Sequence, residues 1–409
     1  MKIGEFAKKH HVSIDMIRHY MDLELLLPQK LGSHYSFKKE DSTDLLEILE
    51  FKKMNFSLAE IQKIFAYKRL TAMKTSEDQL HYKNFLETKK DGLLQQQKEL
   101  ARVLGYLEEK IKEIHLEDSI PHRFLGMPLS FVTSIYCPLC GNSLPLLGGH
   151  IENNMLIEGL FQCNCGYSAE VSKGIFISLD DKDRDRIIPI DTTHTTLDYV
   201  MNTSTKFINF MYRAINMVKE TLKNEILSNA VILELGTGSG LLIRQLLRQL
   251  PLDAFYIITD HDLNRIHHVK DYLERESLHK NFVFLCTDFE KLPLGNASVD
   301  YILDYWGSVN YNLKATKFLP QVLSSKMKEN GKYLGVFVYF NKLSKRLKHL
   351  SEQNRRFYHA EYLEKLFAND SYSTLEYKEL GTIDEAGMYE PLIEGGSVSE
   401  VYWHGEKRS

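Results

Sequence analysis

The residues best suited to hold a cofactor form the glycine-rich run Glu234-Leu-Gly-Thr-Gly-Ser-Gly240. A strand-like apolar segment precedes this run and a helical segment follows it, which is the setting in which a glycine motif binds a nucleotide. Gly236 and Gly238 allow the backbone to turn tightly and to approach a ligand, and the helix after them offers free N–H groups. The residues that we expect at the cofactor here are Glu234, Gly236, Thr237, Gly238 and Gly240.

Further side chains that suit a nucleotide lie at the ends of the next predicted strands. Asp260 ends one strand, where a carboxylate can accept hydrogen bonds from both hydroxyls of a ribose. Asp288 and Phe289 end the next strand, where an acid beside an aromatic ring suits an adenine base. Asp304 closes a fourth strand and completes the predicted mouth of the cofactor site.

A parallel sheet is needed to bring these strand ends together. Long helices alternate with short apolar strands beyond about residue 194, which predicts a doubly wound α/β domain. The strands that we expect are Ala230–Leu235, Ala254–Thr259, Phe282–Cys286, Val299–Asp304 and Tyr333–Tyr339. We expect Leu375–Thr382 and Ser397–His404 to add an antiparallel pair that closes the sheet.

The ordered strand ends resemble those of the class I S-adenosylmethionine-dependent methyltransferases, over residues 194–409. The resemblance implies a Rossmann-like fold in which Glu234 lies near the methionine part of the cofactor. It also implies that Asp260 holds the ribose and that Asp288 meets the adenine. Nicotinamide-dependent enzymes share the strand–loop–helix pattern, but the Glu-x-Gly-x-Gly-x-Gly form and the Asp288-Phe289 pair favour the methyl donor.

The acceptor of the methyl group cannot be read from the sequence. A sulfonium is already a good leaving group, so a methyltransferase can act mainly by holding a nucleophile in line with it. A general base is needed only when the acceptor must lose a proton. In the family, the residues after the fourth strand shape the acceptor pocket. Here they begin with Tyr305 and Trp306, which could equally be core aromatics.

Four of the five cysteines form two tight pairs, Cys137-Pro-Leu-Cys140 and Cys163-Asn-Cys165. Four thiolates on two facing turns match a tetrahedral zinc site. The second pair is one residue short of the usual spacing, and the alternative is a ribbon that kept its cysteines for packing. Within the predicted ribbon at 131–178, the residues from Cys137 to about Ile177, including Lys173-Gly-Ile-Phe, resemble the zinc ribbon that precedes the methyltransferase domain of large-subunit rRNA guanine methyltransferases. We therefore expect a structural zinc ion on Cys137, Cys140, Cys163 and Cys165.

The amino-terminal residues have the pattern of two short helices joined by a turn, with Ser13 as the N-cap of the second helix. Arg18, His19 and Tyr20 would project hydrogen-bond donors from that helix. A strand-like run that ends near Lys38 adds basic side chains. A recognition helix beside a basic wing is a recurring way to reach a DNA groove and its phosphates.

Residues 1–70 resemble the winged helix-turn-helix domain of the MerR-family transcriptional regulators. The residues that carry the resemblance are Ile3-Gly-Glu-Phe-Ala, Val12-Ser, Ile17-Arg-His-Tyr20, Leu25-Leu-Leu-Pro28, His34-Tyr35 and Met54-Asn-Phe-Ser-Leu-Ala-Glu-Ile61. The resemblance implies dimers that bind promoter DNA, with contacts from Arg18, His19 and Tyr20. It also implies that the wing residue Tyr35 supports a contact with the DNA backbone.

Two positions depart from the MerR pattern. The usual Gly-Tyr-Arg of the wing is His34-Tyr35-Ser36, which loses a phosphate-binding arginine that Lys38 and Lys39 could replace. The glycine that usually ends the second helix is Glu24. DNA affinity is therefore expected to depend strongly on salt, and a head that dimerises without binding DNA is the alternative.

Residues 76–117 form one long helical pattern without proline. The apolar residues that recur every seven positions are Leu86, Leu93, Leu100, Leu107 and Ile114, and Leu104 and Ile111 fill the partner positions of the later heptads. We expect a coiled coil that joins two chains into a homodimer. An amphipathic helix that packs within its own chain is the alternative.

Bulk composition limits the classes of function. The chain has 409 residues with 43% hydrophobic and 26% charged residues, which is ordinary for a globular protein with several domains. The net charge of −4 excludes DNA binding through bulk positive charge, although a local basic face stays possible. We expect a cytoplasmic protein without a membrane segment.

These observations predict a multidomain α plus α/β chain. Its parts would be a winged helix-turn-helix at 1–70, a coiled-coil helix at 76–117, a zinc ribbon at 131–178 and a doubly wound methyltransferase domain at 194–409. We interpret it as a promoter-binding regulator that also methylates a small molecule. Two alternatives stay open: a regulator whose methyltransferase-like domain only senses a ligand, and an RNA-modifying enzyme that uses the head to dimerise.

Overall fold

A computed structural model describes residues 1–32, 34–114, 123–178, 196–276, 279–313, 317–340, 347, 350–369, 372–385 and 397–408. The end of the predicted coiled coil beyond residue 114 and the first residues of the predicted 194–409 domain lie outside these ranges. The chain divides into two compact units, Met1–Glu117 (unit 1) and Asp118–Ser409 (unit 2).

Unit 1 is helical apart from one small hairpin. Its helices are α1 (Ile3–His10), α2 (Ile14–Asp22), α3 (Lys39–Lys53), α4 (Leu58–Thr71) and α5 (Ser76–Lys112). Between α2 and α3, β1 (Gln29–Leu31) pairs antiparallel with β2 (His34–Ser36). Ser13 caps α2 by accepting a hydrogen bond from the Met16 N–H at 3.1 Å, as its position predicts.

The core of unit 1 comes from α1 to α4, whereas α5 has no buried residue. Tyr82 and Leu86, near the start of α5, pack partly against that core. Farther along α5, five apolar side chains on one face of the helix and just beyond its last residue are exposed. These are Leu100, Leu104, Leu107, Ile111 and Ile114, which we call the α5 stripe. In a single chain this stripe leaves apolar surface in water.

Unit 2 combines one large sheet with helices. Its helices are α6 (Leu129–Val132), α7 (Thr196–Asn202), α8 (Thr205–Lys223), α9 (Leu241–Leu246), α10 (Leu263–Arg275), α11 (Gly307–Asn312), α12 (Leu319–Leu323), α13 (Glu352–Arg355) and α14 (Ala360–Asn369). Its strands are β3 (Met127–Pro128), β4 (Leu146–Glu152), β5 (Met155–Gln162), β6 (Ser168–Ser172), β7 (Ile175–Ser178), β8 (Val231–Leu235), β9 (Phe255–Asp260), β10 (Asn281–Cys286), β11 (Val299–Tyr305), β12 (Met327–Phe340), β13 (Tyr372–Ile383) and β14 (Val398–Lys407).

Within the described residues, the strands of unit 2 form one sheet in the order β13-β14-β12-β11-β8-β9-β10-β7-β6-β5-β3, with β4 also paired to β5. The six strands from β12 to β7 are parallel, so their carboxyl ends meet at one edge of the sheet. We call this the carboxyl edge. In doubly wound sheets, ligands bind outside this edge.

Apolar residues on alternate positions of the strands build a core on each face of the sheet. Side chains of α9 and α10 and most of the buried side of α8 pack on one face. Side chains of α11, α12 and α14 pack on the other face. Burial on both faces explains why the central strands are almost continuously apolar, and it gives the helix-covered α/β sheet that the sequence predicts.

The cysteine-bearing segment is joined to this sheet. Strand β7 pairs in parallel with β10, with Phe284 opposite Ile175 and Cys286 opposite Ile177. Strands β6 and β5 then continue the sheet in antiparallel fashion. The segment that we expected as a separate ribbon at 131–178 therefore belongs to the same compact unit as the parallel sheet.

The observed strands lie within a few residues of those predicted, and the antiparallel pair β13–β14 is present with Tyr377 opposite Trp403. The largest difference is β12, which begins at Met327 instead of Tyr333. In the described part of the chain, no helix is both long enough and apolar enough to cross a membrane.

Candidate functional site

The glycine loop joins β8 to α9, and its three glycines have φ values of 65°, 55° and 77°, in the region that other residues rarely adopt. Within the loop, the Gly240 N–H donates to the Thr237 carbonyl at 2.8 Å. The Thr237 N–H donates to the Thr259 carbonyl of β9 at 3.0 Å. The Gly238 N–H donates to Asp260 Oδ2 at 3.0 Å. The loop is thus held against the end of the neighbouring strand.

Two glycines let the loops after β8 and β11 touch. A Cβ added at Gly236 would lie 3.0 Å from Gly307 Cα and 3.6 Å from Phe289 Cζ. A Cβ added at Gly307 would lie 2.4 Å from the Leu235 carbonyl oxygen. The contact joins the glycine loop to the residues after the fourth strand. The sequence prediction included Gly236 but missed Gly307, because a single glycine after a strand has no distinctive spacing.

Glu234 lies beneath the loop and is 2% exposed. Its Oε2 accepts a hydrogen bond from the Tyr256 hydroxyl at 2.6 Å. Burial raises the pKa of Glu234 to about 7, although the bond from Tyr256 acts in the opposite direction. This carboxyl group can therefore gain or lose its charge near neutral pH.

Asp260 ends β9 and is fully buried. Its Oδ1 accepts a hydrogen bond from the Asp262 N–H at 3.0 Å, in addition to the bond from the glycine loop. Arg265 Nη1 lies 3.7 Å from Oδ2, and His261 Nδ1 lies 3.3 Å from Oδ1. Backbone donors and basic groups thus hold the carboxylate at the carboxyl edge, where the sequence predicts a ribose.

Asp288 and Phe289 follow β10, as predicted. Asp288 Oδ1 accepts a hydrogen bond from the Glu290 N–H at 2.9 Å and so caps a short 3-10 helix. The ring of Phe289 is half-buried, close to the glycine loop, and its centroid lies 6.3 Å from that of Tyr311. The Tyr311 hydroxyl donates to Glu290 Oε1 at 2.7 Å. The structure therefore brings the predicted adenine residues beside the loop.

Asp304 is 1% exposed and lies in the interior near the end of β11. Its Oδ2 accepts a hydrogen bond from the Tyr333 hydroxyl at 2.7 Å, and its Oδ1 accepts one from the Ser308 N–H at 2.9 Å. Burial raises the pKa of Asp304. These bonds fix the start of α11, and a direct contact of Asp304 with a cofactor stays a prediction.

The aromatic pair after β11 has a buried acidic partner. Tyr305 and Trp306 stack with their centroids 5.7 Å apart and their planes 9° from parallel. Trp306 Nε1–H donates to Glu400 Oε1 at 2.9 Å. Burial raises the pKa of Glu400 to about 8, against the hydrogen bond from Trp306 and the charge of Arg213. Sequence reasoning missed Glu400, because only the register of β14 brings it to this edge.

The four paired cysteines converge as predicted. Their Sγ atoms all lie within 4.8 Å of one another. The distance is 3.5 Å from Cys137 to Cys165 and 3.4 Å from Cys140 to Cys163. Zinc–sulfur bonds of about 2.3 Å place tetrahedral thiolates roughly 3.8 Å apart, so the cluster has the size of a zinc site. The Asn142 N–H lowers the pKa of Cys140 to about 7, whereas burial raises the pKa of Cys137 to about 12.

In unit 1, most of the predicted DNA-binding side chains are exposed. Arg18 and His19 project from α2, Tyr35 is 41% exposed on β2, and Lys38 is exposed before α3. Tyr20 differs, because its ring is 4% exposed and belongs to the core of unit 1. Its burial does not support a contact with DNA and indicates that Tyr20 anchors α2 instead.

Comparisons with known families match two parts of the chain. The model of the MerR helix-turn-helix family of regulatory proteins matches residues 1–68. A methyltransferase-domain model matches residues 232–326, which include the glycine loop and the strand ends described above. No curated protein sequence matches the chain significantly.

Solved structures with a partial likeness include several methyltransferases. Phosphoethanolamine N-methyltransferase 2 of Haemonchus contortus is 15% identical, with a TM-score of 0.36, over 50% of this chain and 58% of that one. Geranyl diphosphate C-methyltransferase of Streptomyces coelicolor is 10% identical, with a TM-score of 0.37, over 47% and 74%. The MccD protein is 10% identical, with a TM-score of 0.37, over 48% and 96%. At these TM-scores the neighbours say nothing about the acceptor.

Proposed function

We propose that this chain, which carries a MerR-family helix-turn-helix domain at its amino terminus and a methyltransferase domain, is a promoter-binding regulator that also methylates a small molecule. One observation carries the catalytic part. The glycine loop is held at the carboxyl edge by Asp260, with the half-buried ring of Phe289 beside it. A loop, an acid and an aromatic ring at one sheet edge suit a nucleotide-type cofactor.

S-adenosylmethionine, when bound, would supply a methyl group on a positively charged sulfur. The donor set fits such a molecule. Asp260 offers a carboxylate for ribose hydroxyls, and Asp288 with Phe289 offers a hydrogen-bond acceptor and a ring face for adenine. The carboxyl of Glu234, beneath the glycine loop, suits the amino group at the amino-acid end. The contribution of the chain is to bind, orient and exclude water, because an activated methyl group needs mainly alignment with its acceptor.

The regulatory part rests on unit 1. Arg18 and His19 lie exposed on α2, and the β1–β2 hairpin carries Tyr35 beside Lys38. A helix with an adjoining basic hairpin suits a DNA groove flanked by phosphates. We infer that unit 1 acts as a winged helix-turn-helix on promoter DNA. The small number of basic groups and the nearby Asp15, 3.3 Å from Arg18, imply a weak affinity for DNA.

We infer that two chains associate through α5. The α5 stripe is exposed in the single chain, and a groove of about 610 Å³ opens between α4 and α5, with Phe56, Ile64, Phe85 and Leu93 in its lining. Exposed apolar residues spaced as in a coiled coil are stabilised by burial against a second helix. The exposed α5 stripe therefore supports a homodimer.

The cysteine cluster is inferred to hold a structural zinc ion. The converged thiols form no disulfide. Two of them lie in the turn before β4 and two in the turn between β5 and β6. An ion there would stabilise the part of unit 2 that extends the parallel sheet beyond β10. All four positions are filled by sulfur, which leaves no open site for catalysis.

A contact within unit 2 supports communication between the cofactor site and the regions that precede it. Residues 123–125 are hydrogen-bonded to the end of α10. The Arg123 N–H donates to the Glu274 carbonyl at 3.1 Å, and the Leu125 N–H donates to Glu274 Oε1 at 2.8 Å. The other end of α10 is capped by Asp262, two residues after Asp260. Cofactor occupancy could therefore bias DNA binding, provided that the two states differ in affinity.

The test is transfer of a labelled methyl group from S-adenosylmethionine into fractionated cell extract. The wild type and Gly148→Arg, a control at an exposed glycine with no nearby atoms, are expected to label the same fraction. Gly236→Arg is expected to abolish labelling, because its side chain would fill the loop. Absence of labelling by the wild type in every fraction would contradict catalysis. Retained cofactor binding in that case would favour a ligand-sensing regulator.

A further inference from the structure

Glu400 is a buried carboxyl group at the carboxyl edge of the sheet. It lies on β14 opposite Val338 of β12, and it is fully buried. Its Oε1 accepts the hydrogen bond from Trp306, but its Oε2 has no hydrogen-bond partner among the described residues. Buried polar atoms are nearly always hydrogen-bonded, so an unpaired carboxyl oxygen in a native protein requires an explanation.

Its position connects it to the cofactor loop. Trp306 directly precedes Gly307, whose Cα is the atom that a Cβ at Gly236 would meet. Trp306 also stacks on Tyr305 and lies 5.9 Å from the Phe207 ring at the start of α8. Trp306 and Gly307 therefore lie between Glu400 and the glycine loop. They are on the side of the sheet where the ends of β11 and β12 are near α8.

The surroundings of Glu400 combine aromatic rings with one cationic group. Arg213 of α8 is exposed and too distant for a hydrogen bond, although its charge acts on Glu400. Trp306, from the end of β11, supplies a neutral donor. Burial keeps the pKa of the carboxyl well above its usual range, so the group is largely uncharged at neutral pH while it lacks a cationic partner. A cation beside it would reverse that balance.

We propose that Glu400 determines acceptor specificity by binding an amino group of the methyl acceptor through Oε2, beside the ring of Trp306. This inference rests on the proposed methyltransferase function and assigns its substrate class as an amine that carries a positive charge. An ammonium group offers the N–H donors that Oε2 lacks, and its charge is attracted by the carboxylate. A buried carboxylate oxygen stays without a hydrogen bond when the bound molecule has no N–H group, so the site discriminates strongly against such analogues.

The experiment uses full-length protein and the extract fraction that accepts label. Glu400→Gln is expected to raise the acceptor KM about 10- to 100-fold, the usual effect of losing a charged hydrogen bond. Glu400→Asp, which keeps the charge, should recover part of that loss. Glu379→Gln, a change at an exposed carboxylate on the adjacent β13, should leave KM unchanged. Acetylating the amines of the fraction before the assay should remove its acceptor activity for the wild type.

A second readout separates specificity from folding. The affinity for S-adenosylhomocysteine and the melting temperature should be the same for wild type and Glu400→Gln, because a structural role would change one of them. Transfer that survives acetylation, or an unchanged KM for Glu400→Gln, would overturn the assignment while leaving the methyltransferase function intact. No transfer by the wild type in any fraction would overturn the methyltransferase function itself, and the assignment with it.

Discussion

Glu24 shows how one residue can carry backbone strain in a turn that other residues hold in place. It follows α2 with a φ of 54°, in the left-handed region that suits glycine, and MerR-type sequences usually have glycine there. Arg69 of α4 holds this turn by donating to the Glu24 carbonyl at 2.7 Å and to the Leu25 carbonyl at 2.6 Å. The turn is therefore fixed by its neighbours despite the unfavourable residue.

Glu24→Gly is expected to stabilise unit 1 by about 0.5–1 kcal/mol. Relief of the left-handed conformation gains about 1–2 kcal/mol, and the greater freedom of glycine in the unfolded chain offsets part of it. Urea denaturation followed by circular dichroism measures the difference. Glu24→Ala retains a Cβ and serves as the control with no gain. Equal stability of both variants would contradict the strain.

We expect Glu234 to make cofactor binding dependent on pH. Its pKa of about 7 means that the carboxyl is protonated in the free protein at lower pH. A cofactor with a positively charged amino-acid end binds the ionised carboxylate better, so binding below pH 7 must release a proton. Affinity should fall by up to about tenfold per pH unit below 7 and be flat above it. Calorimetry from pH 5.5 to 8.5 should show this slope for the wild type and a weaker one for Glu234→Gln; equal slopes would sink the idea.

Residues within local motifs could be predicted from the sequence, whereas residues brought together by strand register could not. The glycine loop, Asp260 and Asp288 lie at the ends of strands, as the sequence predicts, and their contact with a cofactor stays a prediction. Glu400 lies far along the chain and reaches the site only through the pairing of β14 with β12. Tyr20 was assigned to DNA by its motif, but the packing of α2 turned its ring into the core.

Among the elements, α5 has surface that a single chain does not cover. Leu107→Glu in the α5 stripe is expected to weaken dimerisation by at least roughly tenfold, because a charge would have to be buried in the interface. Leu70→Glu changes a leucine of α4 that is 87% exposed and should leave the dimer intact. Sedimentation across a concentration series gives both values. A wild-type chain that is monomeric at every concentration would disprove the dimer.

The cysteine cluster makes a second prediction for an element. Purified protein should contain one zinc ion per chain, and Cys140→Ser should lose it and lower the melting temperature, because metal binding contributes to folding. Cys286→Ser should retain the metal, since Cys286 lies apart in β10. Elemental analysis and thermal denaturation measure the two effects. A chelator that removes no metal and leaves the melting temperature unchanged would exclude the zinc site.

For the whole molecule, the sequence predicted separate parts, but the pairing of β7 with β10 joins two of them. The periodicity of apolar residues identifies strands but does not show which strands pair. The edge strand of a small ribbon and the edge strand of a large sheet present the same unpaired N–H and C=O groups. The consequence is that the cysteine cluster and the carboxyl edge belong to one compact unit, in which residues 123–125 are bound to α10.

Calorimetric titration of the full-length chain tests most directly whether the glycine loop binds S-adenosylmethionine. The wild type and Gly148→Ala should bind one molecule per chain with equal affinity. Gly236→Ala should bind at least roughly tenfold more weakly, because its Cβ strains the loop and presses on Gly307. Absence of binding by the wild type, or equal binding by Gly236→Ala, would contradict the account.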